Sequence, residues 1–322
     1  MKKKIKNCWF AVLVIFPAII VGQKIDNASS FRDIKSANYF RFHYDNDYFT
    51  ATDYYYTQGY NFEFTSPKLQ KNPINNLFLK PSCTEFKYGV SIEHMGFTPT
   101  SISSDAILYG DRPFAAAIML KSFLISTDTL HHMRLSSALS IGIIGPGAFG
   151  KEMQTGIHKW VGDEVPHGWQ HQIKNDLLLN YELAHEKQLF QFQNFLALNT
   201  NAKLRLGTVN TNASAGLNAT LGKINSPFSS VKNKNRFQIY GYFQSLVTVV
   251  GYDASLQGGI FSRQSPYVIA SRDLNRMTLQ NNFGLIMQYK GLYLEYSRTE
   301  ISKEFKTGRL HKWGGIRIGV KL

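Results

Sequence analysis

The sequence predicts an all-β fold, a transmembrane antiparallel β-barrel of about twelve strands with a short helix in one connection. Segments in which apolar and polar residues alternate recur from residue 38 to the C-terminus, separated by turn residues. Many reach ten residues or more, as tilted membrane-spanning strands require, whereas most soluble strands have about five or six residues. Tyr and Phe lie near the segment ends, as in the aromatic girdles of membrane barrels.

The composition supports this fold class and excludes others. Charged residues make up only 18% of the 322-residue chain and aromatic residues 14%. The mean hydropathy is −0.21, and the only long apolar run lies at the N-terminus, which excludes a helical membrane bundle. Gly and Pro, at 25 and 10 residues, are too few for a collagen-like or low-complexity chain. A soluble β-sandwich or a lipocalin-like barrel remains the alternative.

Residues 1–22 predict a secretory signal peptide. Four lysines precede an apolar stretch from Cys8 to Val21, and the small residue Gly22 follows. A single membrane anchor is the alternative, for which the run is short. Cleavage would leave residues 23–322 as a single barrel domain. It would remove four of the 36 basic residues and leave a net charge of +10 against the 22 acidic ones. Cys83 would be the only remaining cysteine, so no intrachain disulfide can form.

Each predicted strand takes its bounds from the alternation. The strands lie near 38–46, 56–66, 85–97, 113–126, 132–145, 176–186, 190–206, 209–223, 236–251, 275–289, 291–301 and 312–322. The last strand alternates an apolar face with a basic one and is expected to pair with the first. Its apolar face carries Ile316, Ile318, Val320 and Leu322, and its polar face carries Arg317 and Lys321. The stretch 251–262 is ambiguous, and we take it as a strand extension and a loop.

Strand order predicts which connections share a rim. If the N-terminus is periplasmic, connections 47–55, 98–112 and 146–175 are all extracellular. The last is the longest, and loops of more than about 12–15 residues usually carry function.

The first of these connections is rich in oxygen ligands. Asp45, Asn46, Asp47 and Asp53 fall within nine residues, and Ca²⁺ prefers carboxylate and amide oxygens. The spacing does not fit an EF-hand, which also needs a glycine that is absent here. A polar hairpin turn is the alternative.

The third connection predicts a short helix across the barrel mouth. The residues at helical spacing are Met153, Ile157, Trp160 and Val161. Gln154 and His158 are four residues apart and share one helix face, and Glu164 follows six residues later. A His that a carboxylate orients can act as a general base on water. A solvated loop His is the alternative. In the middle connection, Asp111-Arg112 reads as a structural ion pair at a turn.

These segments together resemble the outer-membrane lipid A 3′-O-deacylases of the LpxR type. The residues that carry the resemblance are Asp45-Asn46-Asp47, Tyr56-Thr57-Gln58-Gly59, Gly110-Asp111-Arg112-Pro113-Phe114, Gly145-Pro146-Gly147 and Gln154-x3-His158-x5-Glu164. The resemblance covers nearly the whole mature chain, but its specificity lies mainly in 44–59 and 110–175. Residues 190–322 match only in their strand pattern.

The resemblance implies a carboxylic ester hydrolase in the outer membrane of a Gram-negative bacterium, with its active site toward the cell exterior. Such an enzyme removes the 3′-linked acyloxyacyl chain from lipid A and depends on Ca²⁺. Carried over by position, the catalytic residues are His158, Glu164, Gln154 and Asn46, and the metal residues are Asp47 and Thr57. The family's catalytic lysine has no counterpart, because residues 99–105 contain no lysine.

The partners follow from the resemblance and from the charge. We expect lipid A of lipopolysaccharide as the substrate, contact with outer-membrane lipid, no nucleic acid, and a monomer. A net charge of +10 fits the phosphates of lipid A, which Arg and Lys bind. Two other functions remain open. One is an outer-membrane phospholipase, although no clear serine lies beside the predicted His. The other is a non-enzymatic barrel, either a pore, an adhesin or an inactive relative.

Overall fold

The computed structural model describes residues 25–50, 52, 54–82, 85–162, 164–230 and 237–322. The predicted signal peptide lies outside the described residues, as do Asp53 and Cys83. Within the described residues, twelve antiparallel strands form one closed barrel, as predicted. The strands are β1 Tyr39–Asn46, β2 Tyr55–Thr65, β3 Glu85–Thr98, β4 Ala115–Asp128, β5 Met133–Ile144, β6 Asp176–Phe192, β7 Leu196–Gly207, β8 Asn210–Lys223, β9 Phe237–Asp253, β10 Met277–Tyr289, β11 Leu292–Ile301 and β12 His311–Lys321.

Every strand pairs with its neighbours in sequence, and β12 closes the barrel on β1. In that closing pair Tyr39 lies opposite Lys321, and Asn46 lies opposite Gly314. The predicted boundary between the sixth and seventh strands is wrong by about six residues. Alternation continues through Phe190 and Phe192, and the chain turns at Gln193, whose φ is 49°.

Two α-helices lie in the described part of the chain, α1 Gly150–Val161 and α2 Ala254–Gln257. The first matches the predicted helix. It ends where Gly162, with φ 75°, caps the His158 carbonyl, because glycine adopts the left-handed conformation without a steric penalty. The ambiguous stretch 251–262 contains the end of β9 and α2. No helix among the described residues is both long and apolar enough to cross a membrane.

The outer wall of the barrel carries a band of exposed apolar side chains. Alternate residues of each strand point outward and the others point into the lumen. The exposed apolar residues include Phe40, Phe62, Phe64, Ile92, Leu120, Ile141, Leu177, Leu179, Leu204, Leu206, Leu217, Phe243, Val247, Val249, Leu285, Tyr296, Ile318 and Val320. Exposure of so much contiguous apolar surface is explained by contact with lipid.

The lumen is polar, and a segment that precedes β1 runs through it. We call residues 25–37 the inner segment. Its contacts reach inward-facing side chains of many strands: Asp26 pairs with Lys203 at 2.7 Å, Arg32 with Glu295 at 2.9 Å and Asp33 with Lys87 at 2.6 Å. Phe31 is fully buried and stacks on Tyr242 at 4.2 Å, and the main-chain N–H of Ser30 donates to Glu186 at 2.7 Å.

We call the barrel end where β1 finishes the upper rim. The connections 47–54, 99–114, 145–175, 254–276 and 302–310 lie there. The Gly110-Asp111-Arg112 turn ties several of them together. Arg112 is buried, forms an ion pair with Glu304 and donates to Ser255 at 2.7 Å. Asp111 accepts from the main-chain N–H of Thr100 at 2.8 Å. Both side chains are therefore structural, but the predicted ion pair between them is wrong: Arg112 pairs with Glu304, and Asp111 binds Thr100 within its own connection.

Tyr267 adds a second tie at this turn. Its hydroxyl donates to the main-chain oxygen of Asp111 at 2.9 Å and accepts from the N–H of Gly110 at 2.8 Å. Burial raises the pKa of the Tyr267 phenol, so the hydroxyl keeps the proton that it donates. These contacts thus link three connections of the upper rim, 99–114, 254–276 and 302–310.

Candidate active site

One row of residues crosses the outer wall just above the apolar band. Asn46, Gln58, Gly96 and Ala116 lie opposite one another on β1, β2, β3 and β4. They have the same strand parity as the lipid-facing residues below them, so they lie on the outer face and not in the lumen. We call these four residues the upper row. Its last two members, Gly96 and Ala116, are small and buried, which lets other groups pack closely on the outer face of the wall.

An aromatic row lies directly beneath the upper row. Tyr44, Tyr60 and His94 follow one another across β1, β2 and β3. The rings of Tyr44 and Tyr60 stack at 5.1 Å, and those of Tyr60 and His94 lie 5.9 Å apart. Nε2 of His94 lies 2.9 Å from the main-chain oxygen of Ala148. A carbonyl can only accept, so Nε2 carries the proton. This contact anchors the 145–175 connection to the outer wall.

Helix α1 is seated on the same outer face. A β-carbon at Gly150 would lie 2.4 Å from the β-carbon of Ala116 and 2.8 Å from the Trp169 ring. Only glycine permits so close an approach. The helix therefore packs against the outside of β4, and its predicted position across the barrel mouth is wrong.

Gln154 is held in this seat by a tryptophan. The indole Nε1 of Trp169 donates to Oε1 of Gln154 at 2.8 Å, and the two residues are 2% and 1% exposed. Trp169 packs with Phe114, Ala116 and Ala148, so the 99–114 connection, the start of β4 and its own connection surround it. An indole N–H cannot accept a hydrogen bond, so the atom of Gln154 that faces it must be the carbonyl oxygen.

His158 lies one helical turn after Gln154. Its Nδ1 is 2.6 Å from the main-chain oxygen of Glu164, which makes Nδ1 the protonated nitrogen and leaves the basicity of the neutral ring on Nε2. The carboxylate of Glu164 accepts from the Ser103 hydroxyl at 2.8 Å. The sequence predicted that the Glu164 carboxylate orients the ring, but the described contact runs through its main chain. Its side chain ties α1 to the 99–114 connection.

Asn46 lies at the outer end of β1 with its amide engaged at both ends. Its Oδ1 accepts from the main-chain N–H of Tyr48 at 2.7 Å, and its Nδ2 donates to the Tyr44 hydroxyl at 3.0 Å. Thr57 occupies a β-bulge in β2, and its hydroxyl lies 2.7 Å from that of Thr98. Both predicted residues therefore belong to the upper rim of the outer wall.

Asp47 begins a 3-10 turn, Asp47–Thr50, and its side chain is buried. Asp45 instead points into the lumen, where its carboxylate lies 2.5 Å from Nε2 of His43. The described residues contain no group of three or more His, Cys, Asp or Glu side chains that could hold a metal ion. Asp47 and Thr57 supply only oxygen donors, and that chemistry fits a hard cation such as Ca²⁺. The calcium site stays a prediction.

The structure thus gathers Asn46, Thr57 and Gln154 on one outer face, with His158 on the same helix as Gln154. Sequence reasoning assigned no role to Tyr60, His94 or Trp169, or to Gln58. The alternation and register of β1 to β4 could have placed Gln58 beside Asn46. No sequence signal pairs Trp169 with Gln154, because that contact depends on how two connections pack.

A comparison with one solved structure agrees with this architecture. The chain is similar to the solved structure of LpxR from Salmonella typhimurium, with a TM-score of 0.73 and 18% sequence identity, over 88% of this chain and 100% of that chain. At that identity the likeness shows the fold alone. The β domain of the Bordetella autotransporter BrkA matches with a TM-score of 0.48 and 10% identity, over 88% of this chain and 98% of that one. No curated protein matches in sequence.

A family model described as outer membrane protein LpxR matches residues 8–322. That match covers nearly the whole chain. The closed barrel, its lipid-facing band and the helix seated on its outer wall therefore describe an outer-membrane β-barrel protein that belongs to the LpxR family.

Proposed function

We propose that this protein is an outer-membrane esterase that removes the 3′-linked acyloxyacyl chain from lipid A of lipopolysaccharide. The observation that carries the proposal is the position of the site on the outer wall, directly above the lipid-facing band. A site for a soluble substrate would be expected in the lumen or on the rim loops, where water has access. A site that opens toward lipid favours a substrate that is itself a membrane lipid.

The order of the rows supports the same substrate class. Phe62, Ile92 and Leu120 form a lipid-facing row, the aromatic row lies one step above it, and the upper row lies one step higher. Successive rows on one face of a strand are about 7 Å apart. A lipid with its acyl chains along the apolar band would therefore place its ester groups near the upper row. Lipid A lies in the outer leaflet, so the upper rim would face the cell exterior.

His158 is the proposed general base. Its Nε2 would take a proton from the attacking water, and the Glu164 main-chain oxygen would hold the protonated Nδ1 in place. The imidazolium would then return the proton to the departing sugar oxygen. Gln154, fixed by Trp169, would donate to the oxyanion of the tetrahedral intermediate, a role typically worth about 10²–10³ in rate per donor. Asn46 would be a second such donor, or would order the end of β1.

Ca²⁺ held by Asp47 and Thr57 would polarise the ester carbonyl as a Lewis acid. The two exposed lysines of α1, Lys151 and Lys159, are positioned on its solvent face and suit the phosphates of lipid A. The filled lumen counts against a pore, because the inner segment occupies the path that ions would follow.

Mass spectrometry of lipid A tests the proposal. Cells that express the wild-type protein should yield lipid A lighter by one acyloxyacyl chain, whereas cells with His158→Ala, or without the protein, should not. Purified protein should be assayed in parallel on glycerophospholipids. Unchanged lipid A with release of phospholipid fatty acids would replace the proposal with a phospholipase. Unchanged lipids in both assays would leave a non-enzymatic barrel.

A further inference from the structure

A second buried amide lies in the upper row and is chemically prepared in the same way as Gln154. Gln58 is 1% exposed, and its Oε1 accepts from the Tyr60 hydroxyl at 3.1 Å. Gln154 is equally buried, and its Oε1 accepts from Trp169. The Trp169 indole can only donate, and in this structure the Tyr60 hydroxyl donates as well. In each residue the carbonyl oxygen is therefore engaged and the –NH₂ group points the other way.

Neither –NH₂ group has a hydrogen-bond acceptor among the described residues. Buried polar groups are nearly always paired, so each exception needs an explanation. One of these donors lies on the outer face of the wall and the other in the helix that packs on that face. An acceptor that arrives with a ligand would explain both. An amide –NH₂ only donates, so the ligand must bring a hydrogen-bond acceptor, and the carbonyl oxygen of an ester is one.

The register brings the Gln58 amide toward α1. Gln58 lies opposite Gly96, and Gly96 lies opposite Ala116, so the Gln58 and Ala116 backbones are two strand spacings, about 10 Å, apart. The Gln58 side chain covers part of that distance. A β-carbon at Gly96 would lie 3.3 Å from Cγ and 3.7 Å from Nε2 of Gln58. The amide therefore lies over β3, between its own strand and the β4 seat of α1.

Asn46 is less suited to this task than Gln58. Its amide oxygen and its amide nitrogen are both already engaged, by Tyr48 and Tyr44. One of the two N–H groups of that nitrogen is already used for Tyr44, and the bonds at both ends hold the side chain to the end of β1. The Gln58 nitrogen has no such partner in the described structure.

We infer that Gln58 is a further catalytic residue, whose Nε2 donates with that of Gln154 to the carbonyl oxygen of the scissile ester. This inference rests on the proposed function. The water oxygen bonds to the carbonyl carbon, its proton passes to His158, and the carbonyl electron pair moves onto the oxygen that the two amides face. When the carbonyl re-forms, the bond to the sugar oxygen breaks and that oxygen takes the proton from His158. The two amides end the cycle unchanged.

Gln58→Met tests this inference, because it keeps the length of the side chain and removes both N–H donors. With purified barrel and lipid A in mixed micelles, we expect kcat to fall by about 10²-fold while KM changes little. Gln58→Glu should be slower still, since a carboxylate repels an oxyanion. The pH profile should keep its wild-type midpoint, because His158 is untouched. The matched control is Gln70→Met, an exposed glutamine beyond the other end of β2.

A kcat within twofold of wild type for folded Gln58→Met would overturn the role of Gln58. It would leave the proposed function intact, provided that His158→Ala is inactive. A fall that appears in KM alone would also overturn it, because it would mark a group that binds ground state and intermediate equally. If the Gln58 variants do not fold, Tyr60→Phe replaces them. Loss of the hydroxyl frees the amide to rotate, so kcat should fall, and a wild-type kcat would overturn the inference.

Discussion

The two ring nitrogens of His158 have different roles, one in a fixed hydrogen bond and the other in proton transfer. Replacing His158 is therefore the most direct test of the proposed chemistry. Nδ1 is committed to the Glu164 main-chain oxygen, so proton transfer falls to Nε2. We expect His158→Ala to remove acyl release, because a general base is worth about 10²–10⁴ in rate. The residue lies in a rim connection, so the barrel should still fold. Wild-type deacylation by a folded His158→Ala barrel would disprove the assignment.

Glu164→Gln should have a much smaller effect than His158→Ala. The main-chain oxygen that contacts His158 is unchanged by the substitution, and the amide oxygen of Gln can still accept from Ser103. Initial rates on lipid A for the two variants, measured side by side, check the order. A Glu164→Gln rate as low as that of His158→Ala would show that the negative charge acts on the imidazolium, as the sequence predicted.

Calcium chelation and a substitution at Asp47 test the predicted calcium site. Excess chelator should abolish activity and added Ca²⁺ should restore it, because the oxygen donors of Asp47 and Thr57 suit this cation. Asp47→Asn should shift the Ca²⁺ concentration for half-maximal activity upward, since one ligand loses its charge. Calcium titrations of activity measure that shift. Full activity in chelator would remove the metal from the mechanism.

At the scale of the element, the seat of α1 decides whether Gln154 and His158 face the wall. Gly150→Ala would place a β-carbon 2.4 Å from Ala116, which forces the helix away from β4. We expect activity to fall by at least about tenfold, since small misplacements of catalytic groups are costly. Gly156→Ala is the matched control on the same helix, because a β-carbon there meets no atom within 4 Å. Equal activities for the two variants would contradict the close packing of α1 on β4 at Gly150.

The elements themselves were predictable because their signals are local. Period-two alternation located twelve strands, and helical spacing located α1, without any knowledge of their neighbours. The contacts between elements were not predictable in the same way. Trp169 meets Gln154 only because two connections pack on β4. Glu164 reaches His158 through its main chain, and side-chain types carry no information about such a contact.

At the scale of the whole molecule, the contacts of the inner segment were also not predictable from the sequence. Residues 25–37 have no strand or helix period, and their partners come from strands dispersed around the barrel. Asp26 binds β7, Arg32 binds β11 and Asp33 binds β3. A barrel of this size can be filled largely by its own side chains. Here the inner segment occupies part of that space, so the filling of the lumen depends on residues outside the barrel wall.

We expect the wild-type barrel to be heat-modifiable in detergent, as a stable β-barrel is. We also expect it not to conduct ions in planar lipid bilayers, because the inner segment blocks the lumen. Deletion of residues 25–37 should open a conducting path. The deletion removes the ion-pair partners of Lys203 and Lys87, whereas Glu295 loses Arg32 but keeps Arg317. A buried charge that loses its partner draws in water. Single-channel recording measures the conductance of the deletion variant.

A synthetic peptide of residues 25–37 should block the conductance of the deletion variant, whereas a peptide of the same composition in scrambled order should not. A deletion variant that is folded and as silent as wild type would mean that strand side chains alone seal the lumen.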